Sequence, residues 1–327
     1  VKILVTGGAG YIGAHTVREL IGRGYEVVVV DSLEFGYVAA LLGQAKFIQG
    51  NIADSALLDK VFGEEKPEAV IHFAAYKSAG ESVHLPSRYF QNNVEGTRHL
   101  LDAMVKHKIN YFIFSSSCSV FGTPLNLPAS ETNNPFNPES PYAESKFMVE
   151  RMLKWYEGAY GLRSVSLRYF NAAGASLDSK IGEDWKVTLN LVPLVLKAAI
   201  GQAPKVQVFG TDYPTPDGSC IRDYIHVIDL AVAHVLSLEH VQQTNKTTAY
   251  NLGTGTGSSV KEVINTAKRI TEVDFFAEEV ARRAGDPVAI WADTSLAEKE
   301  LGWKAQYGLE EIIQTAWNWH KSHPNGY

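Results

Sequence analysis

In the stretch ESPYAESK, residues 139–146, Tyr142 and Lys146 stand one helical turn apart at the start of a helical pattern. At that spacing a phenol and an ammonium share one face of the helix. Such a pair can move a proton. An ordinary tyrosine, with a pKa near 10, is a poor base at neutral pH, and a nearby cation favours its ionised form. One positive charge about 5 Å away, at an effective dielectric of about 20, is worth roughly 3 kcal/mol, or about two pK units. Upstream, FSSSCSVFG at 114–122 offers Ser117 among several hydroxyls that could hold a substrate oxygen. Taken alone, an exposed Tyr/Lys pair and a serine-rich loop each have structural uses, so these residues need a positioning framework before they mean chemistry.

A third group sits at the start of the chain. TGGAGYIG at 6–13 places Gly7, Gly10 and Gly13 between an apolar strand and an amphipathic helix. Glycines there allow a tight turn, a close approach to a pyrophosphate and tight packing of helix on sheet, while the helix N-terminus faces the anion. Asp31 ends the next apolar run, EVVVVD, about 20 residues further on, where a carboxylate accepts the adenosine ribose hydroxyls of a dinucleotide. Its charge repels a 2′-phosphate. The residues that follow, Ser32, Leu33, Glu34, Phe35 and Gly36, supply no arginine to reverse that, so the pattern favours NAD over NADP.

The elements that must carry these groups alternate. VKILVT, a helix over 12–23, EVVVV, FIQG, AVIHF, a helix near 88–106, YFIFSSS, a helix from about 143 and SVSLRYF read as βαβ units. They predict an α/β fold of Rossmann type, a doubly wound parallel sheet covered on both faces. After about residue 171 the texture turns to loops and shorter elements, notably YPTPDG at 213–218. This predicts a dinucleotide-binding domain over 1–171 and a smaller α/β substrate lobe over 172–327 that returns segments to the first.

The 327 residues, 45% of them apolar, suffice for a full core, and a net charge of −6 argues against a broad nucleic-acid or anionic-membrane surface. Any anionic ligand must be held by a few local cations. Two cysteines, Cys118 and Cys220, and ten histidines without metal-ligand spacing predict neither a disulfide framework nor a metal site. The chain opens directly on a strand and has no long apolar run, so the expected setting is the cytoplasm.

The dinucleotide loop, a serine at a strand end and YxxxK on the next helix together resemble the short-chain dehydrogenase/reductase superfamily. Within its extended branch the chain resembles the UDP-glucose 4-epimerase family nearly end to end, through TGGAGYIG, HFAAYKSAGES, NNVEGT, FSSSCSVFG, SPYAESK, LRYFNAAGA, YPTPDGSCIRDYIHV, YNLGTGTGSSV and ARRAGDP. The resemblance implies that Tyr142 takes the proton of a sugar 4-hydroxyl, that Ser117 bonds the same oxygen, and that Lys146 supports Tyr142 and contacts the nicotinamide ribose. It implies an NAD site formed by Gly7, Gly10, Tyr11, Ile12, Gly13, Asp31, Asn51, Ile52, Phe73, Ala74, Ala75, Lys77, Asn92, Ser115, Tyr142, Lys146 and Tyr169. For the UDP-sugar it implies Lys77, Ser117, Tyr142, Phe170, Asn171, Asn190, Leu191, Gln207, Phe209, Arg222, Tyr224, Arg283, Asp286 and Ile290. A homodimer is implied as well, with Phe147, Met148, Met152 and Tyr156 supplying apolar surface.

Three departures carry information. Asn51 in GNIAD stands where the family has Asp, though an amide oxygen can still accept from the adenine amine. Phe121 replaces the usual Tyr. Cys118 and Ser119 stand where related dehydratases carry Asp and Glu, which argues against elimination of water. Other UDP-sugars, namely N-acetylhexosamines, pentoses and glucuronate, are served by the same motifs, and a non-catalytic NAD-sensing regulator would be free to lose the Tyr/Lys pair that is present here.

Overall fold

The computed structural model describes residues 1–185, 190–283 and 287–327. In chain order the elements are β1 (Lys2–Thr6), α1 (Tyr11–Gly22), β2 (Glu26–Asp31), β3 (Lys46–Gln49), α2 (Ser55–Glu65), β4 (Ala69–His72), α3 (Ala79–His84), α4 (Pro86–Tyr89), α5 (Thr97–Lys106), β5 (Tyr111–Ser115), α6 (Pro141–Tyr160) and β6 (Arg163–Tyr169). Then follow β7 (Asn171–Ala173), α7 (Leu191–Ala199), β8 (Val206–Phe209), β9 (Ile221–Arg222), β10 (Tyr224–His226), α8 (Val227–Thr244), β11 (Thr248–Leu252), β12 (Ser258–Ser259), α9 (Val260–Thr271), β13 (Ala277–Val280), β14 (Ala289–Ile290), α10 (Ser295–Leu301) and α11 (Leu309–Ser322).

Seven strands form one parallel sheet in the order β11-β6-β5-β4-β1-β2-β3. Its two faces are read directly from the two-residue period of a strand. Ile3, Val5, Val27, Val29, Ala69, Ile71 and Ile113 enter one buried cluster with α8, while Leu4, Val28, Val30, Val70, Phe112 and Phe114 enter another with α2, α5 and α6. Burial on both sides is why the run Val27–Val30 is continuously apolar. Strand order reverses between β1 and β4, and at such a switch point the carboxyl ends of the strands open a crevice. Beyond the main sheet, β7 pairs with β10, β9 with β12 and β14, and β8 with β13, around a third core built on α7, α9 and α11. Among the described residues no helix is long and apolar enough to cross a membrane.

The helix expected near 88–106 runs from Pro86 to Lys106, but Phe90–Gly96 in its middle widens into a π-type turn. Widened turns of this kind gather at functional sites, and this one carries Asn92 and Asn93. The helix bearing Tyr142 begins at Pro141, slightly before the expected position. Ser140 caps it by accepting from Ala143 N at 3.2 Å, and Pro141 needs no helical N–H at that position.

Candidate active site

The crevice is built from strand ends. Gly7 follows β1, Asp31 ends β2, Phe73 follows β4, Ser115 ends β5 and Tyr169 ends β6, so all five lie along one edge of the sheet. Gly7 has φ +72°, and a Cβ there would meet Ala74 N at 2.5 Å, so only glycine lets the first loop pass the end of β4. At Gly13 a Cβ would stand 2.3 Å from Gly7 O, which shows how tightly α1 seats on the loop. Gly10 caps α1 in an extended conformation without a side-chain cap bond, and a Cβ there would meet only Gly7 O within 4 Å, at 3.3 Å. The helix N-terminus therefore presents backbone N–H groups to the crevice, as a pyrophosphate requires. Tyr11 ties this end down by donating to Gly174 O at 2.6 Å.

Asp31 is buried and oriented. Its two oxygens each accept one backbone N–H, from Ala9 at 3.0 Å and Leu33 at 2.8 Å, and each keeps a second lone pair. Burial pushes its carboxyl up from the ordinary value, and the two N–H bonds oppose that. These features fit the adenosine half of NAD. Ile52 is buried beside Gly96, and Phe73 packs its ring 4.6 Å from His234, with Ala74 and Ala75 partly buried behind it. Asn51 is exposed and its Oδ1 accepts from Ala53 N at 2.8 Å, so its amide already shapes the loop that would meet adenine. Asn92 belongs to the middle of the long helix. It sits inside the widened turn and donates to Asn93 Oδ1 at 3.0 Å.

Ser117, Tyr142 and Lys146 lie around the end of β5, but their electrostatics do not follow the charge estimate. Lys146 is buried, donates to Ser115 O at 2.7 Å, and has its Nζ 4.9 Å from the Phe114 ring centre. Burial lowers its pKa to about 7, against the upward pull of Glu150 one turn on. Tyr142 lies among Ser117, Cys118, Tyr169 and Tyr89, and burial pushes its phenol up, with Tyr169 adding to that and the Ser117 hydroxyl opposing it. Within the protein alone the phenol thus moves in the opposite direction to the one counted from Lys146. Desolvation, which a sequence does not display, is the largest cause, and Lys146 is not among the leading ones. Ser117 is held by Ser119, whose Oγ donates to Ser117 Oγ at 2.9 Å and whose N donates at 3.2 Å. Tyr169 and Ser115 share a hydroxyl–hydroxyl bond of 2.9 Å beside them.

The remaining expected ligands lie on the later segments. Asn171 N donates to Asp223 O at 2.9 Å, which sets β7 beside β10, and Tyr224 is buried on β10. Arg222 Nη1 donates to the carbonyls of Ile221 at 2.9 Å and Pro287 at 2.8 Å. Arg283 is exposed, with its guanidinium 4.2 Å from the Phe209 ring centre. Gln207 points Nε2 at Glu278 Oε2, 3.4 Å away, from the exposed side of β8. Lys77 and Asn190 both donate to Glu183, and Leu191 opens α7. Asp286 lies outside the described residues. Ile290 is 6% exposed and packs with Ala129, Phe170, Ala292 and Cys118. Phe121 stacks on Phe136 at 5.5 Å, and the Arg168 guanidinium lies 5.4 Å from its ring centre, so the ring that replaces a tyrosine is used in packing.

Two residues were not anticipated. Asn93, although within the quoted NNVEGT, accepts from Tyr76 N at 2.9 Å and donates to Tyr76 O and Ser145 Oγ at 3.0 Å each, and Ser145 in turn donates to the carbonyl of Tyr142. Glu183 is the other; a lone acidic residue in a loop carries no spacing signal.

A parallel sheet with a glycine loop at its switch point and a Ser/Tyr/Lys group at its edge defines a class of dinucleotide-dependent enzymes, and sequence comparison agrees. The profile of the NAD dependent epimerase/dehydratase family matches residues 3–253, and the chain belongs to that family. A UDP-glucose 4-epimerase of Halalkalibacterium halodurans is 48% identical over 326 residues, covering 99% of this chain and 97% of its own. The crystal structure of the Bifidobacterium longum UDP-glucose 4-epimerase in complex with NAD+ and UDP matches with a TM-score of 0.94 at 41% identity over 100% of both chains. That of the Brucella ovis UDP-glucose 4-epimerase in complex with NAD also gives 0.94, at 46% identity over 97% of each.

Proposed function

We propose that this chain interconverts UDP-glucose and UDP-galactose, inverting carbon 4 of the hexose through a transient 4-keto sugar. The observation that carries the reading is the convergence of Tyr142 with Ser117 and Tyr169 at the sheet edge that also holds the glycine loop. Full-length similarity to proteins of this activity supports it. Bound NAD supplies a reversible hydride acceptor for carbon 4 and a positive ring that favours the Tyr142 phenolate.

The chain's own residues do the rest. Tyr142 takes the proton of the 4-hydroxyl and later returns it, while Ser117 hydrogen-bonds that oxygen and keeps it in reach. Lys146, fixed on Ser115 O, presents its charge to the same region. Arg222 and Arg283 grip the diphosphate, since a guanidinium offers paired charge-assisted bonds. Asn171, Asn190, Leu191, Gln207, Phe209, Tyr224 and Asp286 complete the uridine end, and Phe170 and Ile290 line the sugar end. Anchored by UDP alone, the sugar can present either face of carbon 4. Neither Cys118 nor Ser119 supplies a carboxylate for elimination. The division near residue 171, the homodimer and a cytoplasmic setting belong to the same proposal.

The test is conversion of UDP-galactose by purified protein with no NAD added, followed by NAD release on denaturation, because the hydrogen removed is the one returned. Tyr142→Phe should lower turnover by about 10²-fold or more while UDP binding stays nearly intact. Absence of conversion, or full activity in a preparation shown to hold no NAD, overturns the reading.

A further inference from the structure

Lys77 and Asn190 stand on separate loops, one after β4 and one before α7, yet they meet at a single atom. Oε1 of Glu183 accepts from Lys77 Nζ at 3.3 Å and from Asn190 Nδ2 at 2.9 Å. Glu183 is 6% exposed, whereas the Lys77 side chain is 66% exposed, so the buried carboxylate orders a lysine that solvent would otherwise leave free to move. Tyr11, at the start of α1, also lies close enough for the Glu183 charge to add to burial in raising its phenol.

The backbone that carries the carboxylate is itself held from below. Trp319 Nε1 on α11 donates to Glu183 O at 3.2 Å, and the Tyr327 hydroxyl both accepts from Gly182 N at 3.1 Å and donates to Gly182 O at 3.0 Å. A Cβ at Gly182 would stand 2.3 Å from the Trp319 ring, so the loop rests directly on that indole.

We propose that Glu183 is a positioning residue that couples the two ligands, its Oε1 aiming Lys77 at the cofactor and Asn190 at the uridine nucleotide. The inference rests on the function proposed above. A nucleotide that fixes Asn190 fixes the oxygen that orders Lys77, and by linkage the effect runs equally in the other direction.

The experiment uses NAD-loaded protein and measures the rate of NAD loss with and without UDP, together with UDP affinity by calorimetry. In E183Q the amide oxygen still accepts from Asn190 but no charge holds Lys77. UDP affinity should therefore stay within about twofold of wild type while NAD leaves roughly 3- to 10-fold faster, the cost of ordering one long side chain. UDP should slow NAD loss in the wild type, and absence of that protection overturns the inference, whereas in E183Q UDP should no longer slow it. E183A should weaken UDP binding as well. K77M, at an exposed position where folding is not at stake, should likewise abolish the protection by UDP, and E183Q should add nothing in a K77M background. The inference is overturned if E183Q or K77M keeps the protection by UDP, if E183Q weakens both ligands in proportion, or if the two substitutions add. These readouts are binding measurements, so failure of the proposed function appears separately, as a wild type that retains NAD but leaves UDP-galactose unchanged.

Discussion

Ile290 is the residue on which we propose that substrate size turns. Its side chain packs against Phe170 and Cys118, the latter directly after Ser117, and so lies beside residues proposed for the sugar end of the crevice. In the resembling family a tyrosine at this position confines the pocket to plain hexoses and a small residue admits an N-acetyl group; a branched aliphatic chain without ring or hydroxyl falls between. Steric discrimination of about one methylene is worth about 1–3 kcal/mol, or 10- to 200-fold. The expected result is strong turnover of UDP-galactose with weaker but measurable turnover of UDP-N-acetylgalactosamine, and Ile290→Tyr should widen the gap. An unchanged ratio of kcat/KM values in that variant would remove Ile290 from the argument. At this scale the sequence was legible where spacing carries the signal, as in Tyr142 and Lys146. It was not legible where the environment decides, since neither the upward shift of the phenol nor the lysine pKa of about 7 can be read without knowing burial.

The elements of the sheet were legible because a strand buried on both faces writes a continuous apolar run. The widened turn at Phe90–Gly96 was not, because it alters hydrogen bonding without altering residue pattern. That helix and α6 are the surfaces on which the proposed dimer depends. Part of the apolar surface expected on α6 is used within the protomer: Phe147 stacks on Phe136 at 4.9 Å, Met152 and Tyr156 pack on the core, and the Tyr156 hydroxyl donates to Asp102. What remains includes Trp155, 78% exposed, and a groove of about 840 Å³ lined by Pro86, Ser87, Phe90, Gln91, Val94, Glu95 and Arg98. A homodimer closing over these faces should give light-scattering masses of about twice the monomer at micromolar concentration, and Trp155→Glu should shift the mass toward the monomer. A monomer mass for the unmodified protein would rule it out.

Across the whole molecule, buried histidines set the response to acid. Burial lowers His72, His226 and His320 to about 3 and His15 and His234 to about 4, from an ordinary 6.5. His226 Nδ1 accepts from Ile228 N at 3.1 Å, a bond open only to an unprotonated nitrogen. The unfolded chain takes up these protons near pH 6.5 and the folded chain does not until about pH 4 or below. Their stabilisation is therefore complete above pH 6.5 and is lost as pH falls toward 4. Five such protons give a slope of up to about 7 kcal/mol per pH unit at its steepest. The thermal midpoint should fall steeply between pH 6.5 and pH 4.5, and a flat profile over that interval would contradict the assignment.

The sheet borrows its outermost strand, β11, from far along the chain, and that has a bearing on biosynthesis. Until Leu252 has left the ribosome, the edge of β6 that faces away from β5 has no neighbour, and the helix that covers the adjoining face, α8, has only just been made. An open strand edge invites pairing with other chains. Cutting the polypeptide after Tyr169, where the βαβ pattern ends, would make that transient edge permanent. A dinucleotide half cut there should therefore be prone to associate with other chains, which light scattering of the fragment would check.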